Sequence, residues 1–174
     1  MDAFGTEGDG NGVSVGVQSG NGATTILNDN DTFSVEIGSG GKGNFLAATI
    51  LHEGVHIDQG NAWLNGGESS IADINHYFRE QQAWTLEGSV AGALGMNSLA
   101  PHGGGKDFQV WNRGWKAADV ETMRAKGVGN ILNYMNLKPT DTGTYSSEHQ
   151  HEDQWGNNEI MHLNPRVDFG FARL

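Results

Sequence analysis

Strict alternation is the first regular signal along the chain. In TFSVEI (32–37), Phe33, Val35 and Ile37 alternate with Ser34 and Glu36, the period of a strand with one buried face. VSVGVQ (13–18) and ATTIL (23–27) are two more β-prone runs. Each is bounded by the Gly, Asn and Asp clusters that favour turns. Residues 1–12 carry no such pattern and are expected to be disordered.

The period lengthens after SGGKG. Phe45, Ala48, Leu51 and Val55 recur at helical spacing, which predicts a helix from about Phe45, capped by Asn44 and stopped by Gly60. Beyond the polar stretch NGGESS a second helix is expected from about Ile71 to Leu94. Gly88, Gly92 and Gly95 lie at three- and four-residue steps in its end. Glycines lower helix propensity, so this stripe predicts a surface that another backbone approaches closely. PHGGGKDF reads as a loop. AADVETMRAKG and GNILNYMNL read as two shorter helices broken at Gly127 and Gly129, and the chain from Pro139 onward as irregular. With no internal repeat and no clean linker, the expectation is one α+β domain spanning 1–174. A small N-terminal sheet would pack on the first helix, with long Gly-rich loops.

Composition narrows the function classes. A chain of 174 residues suffices for one domain with a core. Its 27 glycines and 36% hydrophobic content suit long loops. A net charge of −11 argues against a nucleic-acid partner, because phosphate binding relies on clustered Lys and Arg. Without cysteine, disulfides and thiolate metal sites are excluded. No apolar run approaches the ~20 residues of a membrane span. MDAFGTEGDGNG lacks the basic and apolar regions of a signal peptide, so export would need a separate carrier or a longer polypeptide from which this piece is cut.

The first predicted helix carries the chemistry. In LHEGVHIDQ, His52 and His56 are four apart, one turn along one helix face, so both can present a ring nitrogen to one ion. Zinc accepts two imidazoles and, in catalytic sites, one further protein ligand, keeping a position for water. Glu53 follows His52 directly and stands beside such an ion, where a carboxylate can take and return a proton. The second helix offers Glu80 and Glu87 as third ligand. Seven residues separate them, roughly 10 Å of helix, so only one reaches the ion. Asp73 and His76 are lesser rivals. Glu87 and Asp58 are also candidates to accept a hydrogen bond from a ligating imidazole.

HEGVH followed by YFREQQAWTLEGSVAGALG resembles the metallopeptidase toxin domains at the C-termini of Rhs-type and related polymorphic toxins. In those domains His-Glu-Gly-x-His precedes a helix with a Tyr-x-x-Glu-x-x-Ala-aromatic pattern, matched here by Tyr77, Glu80, Ala83 and Trp84. The resemblance covers residues 32–95. It implies a zincin-like fold with His52, His56 and Glu80 on zinc, Glu53 as general base and acid, and secretion as part of a larger bacterial effector. It also implies that DTFSVEIG forms an edge strand that pairs with an extended substrate. Ala83 and Gln82 beside Glu80 have little bulk, which favours Glu80 as the ligand that closes on the first helix.

A zinc peptidase also needs a donor to the oxyanion of its tetrahedral intermediate. His162 in EIMHLNP is the first candidate, with Tyr134, Tyr145, His102 and Arg166 behind it. The cluster Glu148, His149, His151, Glu152 and Asp153 reads as a solvated loop or a second metal site. Of five tryptophans, Trp111 and Trp115 are candidates to line a substrate groove; Trp63, Trp84 and Trp155 read as core. The expected partners are a protein or peptide substrate and a cognate immunity protein, the isolated domain being monomeric. Two rivals remain at this level: a zinc hydrolase of cell-wall peptides, and a non-catalytic module with structural zinc. A fourth protein donor such as His76 would favour the latter.

Overall fold

A computed structural model of the chain describes residues 3–5, 10–20, 22–28, 30–66, 75–99 and 108–141. Among these residues three strands and three helices follow in sequence: β1 (Val13–Gln18), β2 (Ala23–Leu27), β3 (Phe33–Gly38), α1 (Gly43–Gly66), α2 (His76–Ala93) and α3 (Ala117–Tyr134). This is a small α+β arrangement. The strand order is β1-β3-β2. β1 runs parallel to β3, with Val15 opposite Val35, and β2 runs antiparallel to it, with Thr25 opposite the same residue. Thus β3, the strand expected at an edge, is central. Both its sides are already hydrogen-bonded, which leaves no backbone for a substrate. Among the described residues, the strand beside α1 with an unpaired edge is β2.

The alternation in β3 works as anticipated: Phe33 and Val35 are buried. They join Leu27, Ile57 and Trp63 in a core between the sheet and α1, against which Ala3, Phe4 and Val13 also pack. Of the opening residues, Asn11 also donates to the Phe4 carbonyl at 2.9 Å. Two expectations for α1 fail for one reason, close packing. Gly60 does not stop the helix, which continues to Gly66. A Cβ on Gly60 would lie 2.5 Å from the Phe33 ring, so the glycine admits the sheet against the helix. Asn44 is inside the helix rather than at its cap, and its amide donates to the Leu94 carbonyl at 3.0 Å.

α2 begins at His76, later than Ile71. Asn75 is its cap, extended at φ −66° and ψ 163°, with its side chain accepting from the Phe78 N–H. A second core joins α2 and α3 through Trp84, Ala91, Leu99, Val110, Val128, Ile131 and Leu132. The glycines of α2 meet side chains rather than a backbone: a Cβ on Gly88 would lie 3.1 Å from Arg124 Cγ, and one on Gly92 3.7 Å from Trp111 Cβ. Gly95, at φ +76°, instead ends the helix. Its N–H bonds the Gly92 carbonyl and the Met96 N–H bonds that of Ala91, the paired C-terminal motif that favours glycine. Asn136, at φ +59°, does the same for α3. α3 is one helix, unbroken by Gly127 and Gly129. Gly127 is needed for close approach, since its Cβ would lie 2.8 Å from the Gln109 carbonyl oxygen.

Candidate metal centre

α1 lies between the sheet and α2, with His52 to Val55 buried. The four-residue step turns His52 and His56 together towards α2. There Glu80 receives both: His52 Nε2 is 3.4 Å from Glu80 Oε2, and His56 Nε2 is 3.1 Å from Oε1. One ligand atom from each of the three residues lies within 4.8 Å of the others. His52 and Glu80 are each 1% exposed, so water does not dilute their interaction.

Each imidazole is oriented by a second group. His52 Nδ1 lies 2.9 Å from Glu87 Oε2, and a carboxylate only accepts, so the proton sits on Nδ1. His56 Nδ1 lies 3.0 Å from Gln59 Oε1. The Gln59 amide cannot be reversed, because its nitrogen donates to the Arg79 carbonyl at 3.1 Å. That nitrogen also reaches Gln82 Oε1 at 2.9 Å. His56 therefore also carries its proton on Nδ1. Both Nε2 lone pairs are left facing Glu80. An edge contact between the His52 and Trp84 rings, centroids 4.4 Å apart, holds the first imidazole from the side.

Two imidazole lone pairs and a carboxylate, buried at 3.1–3.4 Å, are acceptors facing acceptors. Only a cation or a proton relieves that. Without an ion the proton goes to His52: burial alone would lower its pKa, but hydrogen bonds to Glu80 and Glu87 raise it to about 10. Burial likewise works against an ionised Glu80, yet the neighbouring His56, His52 and His76 hold its carboxyl well below the usual range. The residues fit a divalent ion that replaces the His52 proton. Glu80 is thus the carboxylate of the group, and Glu87 its outer support.

Glu53 leaves α1 on the adjacent face. Its carboxyl is fully buried, and Thr25 on β2 donates to Oε2 at 2.7 Å. Oε1 makes no hydrogen bond among the described residues. Burial raises the Glu53 pKa above its ordinary value, against the lowering charges of His52 and His56 and the Thr25 bond. Sequence reasoning missed Thr25 and Gln59. Gln59 is one turn beyond His56 on the same face and was legible there; Thr25 is linked to Glu53 only by sheet packing.

No protein-family model, curated protein or solved structure matches the chain. The site must therefore be read from its own chemistry. Asp58 is exposed, outside the buried supports. Tyr134 is 58% exposed at the end of α3, its ring against Phe108. Trp111 packs near Gly92, and Trp63 and Trp84 are core. Asp73, His102, Tyr145, the Glu148–Asp153 cluster, Trp155, His162 and Arg166 lie outside the described residues.

Proposed function

We propose that the chain is a zinc-dependent metallopeptidase domain, with His52, His56 and Glu80 as ligands. The observation that carries this reading is Glu53. A metal with a purely structural role needs no further acidic group beside its ligands, and burying a carboxylate with one oxygen unbonded is costly. A general base needs such an oxygen. Two imidazoles and one carboxylate suit zinc, which in such sites retains an open position. When bound, zinc supplies a Lewis acid that polarises a carbonyl and makes water acidic enough to ionise near pH ~7.

The chain's own residues do the rest. Glu53 Oε1 accepts the proton of the attacking water and delivers it to the leaving amide nitrogen. Thr25 holds Oε2, which leaves Oε1 to serve as the base. The raised pKa of Glu53 brings it closer to working pH, where one group serves as base and then acid. Glu87 and Gln59 keep the ligating rings in their productive tautomers. The HEGVH and YFREQQAW motifs support a further step: the domain acts as the toxic C-terminal module of a larger secreted bacterial protein, delivered into a target cell and cleaving protein or peptide there. Zinc content and toxicity of wild type and Glu53→Ala, expressed in a susceptible bacterium, test this. The variant is expected to keep its zinc and lose toxicity by the ~10²–10⁴-fold typical of a missing general base. Toxicity undiminished in the variant would sink the catalytic reading.

A further inference from the structure

His76 is the histidine that this mechanism does not use. It is the first residue of α2, one helical turn before Glu80. Its Nε2 lies 3.4 Å from Glu80 Oε1, the same oxygen that faces His56, and its side chain is 13% exposed. That Nε2 is buried and makes no hydrogen bond among the described residues. The ring is not at a loose helix end. The Asn75 cap before it donates to the carbonyls of Pro139 at 3.1 Å and Asp141 at 2.7 Å, which ties the start of α2 to the chain after α3.

From this geometry we infer that His76 is a fourth, displaceable protein donor that closes the metal site in the resting domain. The inference rests on the metal reading above. Bonds of 2.0–2.2 Å in a tetrahedral zinc site place neighbouring donor atoms roughly 3.4 Å apart. His52 and His56 stand at 3.4 and 3.1 Å from Glu80 oxygens, and His76 at 3.4 Å. His76 differs in one respect: it stands outside the trio of mutually close donors and reaches it through Glu80 alone. Reaching the ion would take a rotation of the His76 side chain, and the reverse rotation would withdraw it. The resting site is then held by three imidazoles and one carboxylate, and a substrate carbonyl competes with His76 for the fourth place. The class of ligand that opens the site is a neutral or anionic oxygen donor.

X-ray absorption on the zinc-loaded full chain counts the imidazoles directly, with acetohydroxamate as the probe of the fourth position. Three imidazoles are expected in wild type and two in His76→Ala, with acetohydroxamate binding at least ~10-fold tighter to the variant because it displaces nothing. Two imidazoles in wild type would overturn the inference and leave the metal reading standing. A wild-type chain that takes up no zinc would overturn both. His76→Gln serves as a second variant, expected to bind the ion with two imidazoles; three in either variant would assign the extra ring elsewhere and end the proposal.

Discussion

The two faces of α1 solve burial in opposite ways. Towards the sheet, Ile57 and Trp63 pack with Phe33 and Val35, and Gly60 lets the Phe33 ring in. That face is complete without any added group. Towards α2, the same helix buries His52 and His56 against Glu80 and Glu87. The second face brings two imidazoles and a shared carboxylate within 3.4 Å, so its balance depends on a proton or a cation among them. An apolar face stabilises the fold by removing area from water. A polar face of this kind stabilises it only where a proton or a cation sits among the lone pairs, so under the metal reading zinc binding and folding would be coupled.

Removing the shared carboxylate breaks the polar face most severely. Glu80→Gln is expected to lose zinc altogether, beyond the ~100-fold at the upper end for a residue that merely supports a ligand. The metal-induced rise in unfolding temperature should vanish with it. Equilibrium dialysis and thermal unfolding with and without zinc measure both. Retained zinc in Glu80→Gln, with loss in Glu87→Gln, would exchange the two roles.

The metal-free protein sharpens the same contrast through pH. Against the lowering effect of burial, hydrogen bonds to Glu80 and Glu87 push the His52 pKa from its ordinary 6.5 up to about 10 in the folded state. A raised pKa means the folded state holds the proton more tightly, so the added stability is complete below ~6.5 and is lost as pH rises through about 10. Zinc competes for that same Nε2, so its affinity should climb over the window in which metal-free stability falls. Denaturant midpoints of the two forms should diverge from pH 6.5 to 10. Parallel curves would place the proton elsewhere.

Within the polar face, the two ring supports differ in charge. Glu87 gives His52 a carboxylate, and Gln59 gives His56 an amide. Charged hydrogen bonds are about twice as strong as neutral ones. Substituting Glu87 by Leu should weaken zinc binding towards the ~100-fold end of the range for such supports, and Gln59 by Leu towards the ~10-fold end. Equal losses in a zinc titration would mean that charge is not what separates them.

The sequence made some of this plain and hid the rest for physical reasons. Alternation in Phe33, Val35 and Ile37 and the four-residue step of His52 and His56 are local periodicities, so strand and site were legible. The choice between Glu80 and Glu87 was not, because both share the face towards α1 and only the packed helix pair shows which carboxylate meets both rings. The central place of β3 depends on a parallel pairing with β1 across 20 residues of chain, beyond any local pattern. Glycine misled most. Gly60 and Gly127 resemble helix breakers in sequence, yet each is where an aromatic ring or a carbonyl oxygen approaches.

That ambiguity gives the smallest and most discriminating test, in α3. Gly127 and Gly129 are two residues apart in one continuous helix. A Cβ at Gly127 would meet the Gln109 carbonyl oxygen at 2.8 Å and Val110 Cγ1 at 3.3 Å, whereas at Gly129 nothing lies within 4 Å. Backbone cannot step aside as a flexible side chain can, so Gly127→Ala should destabilise by about 1–3 kcal/mol through overpacking. Gly129→Ala meets no obstacle and restricts the unfolded chain, so it should stabilise by about 0.4–1 kcal/mol. Both helices of the polar face lie elsewhere, so zinc stoichiometry should stay the same in the two variants. Chemical denaturation measures the opposite signs. If both substitutions stabilised, the close contact between α3 and the 109–110 segment would not exist, and Gly127 would be an ordinary helix glycine.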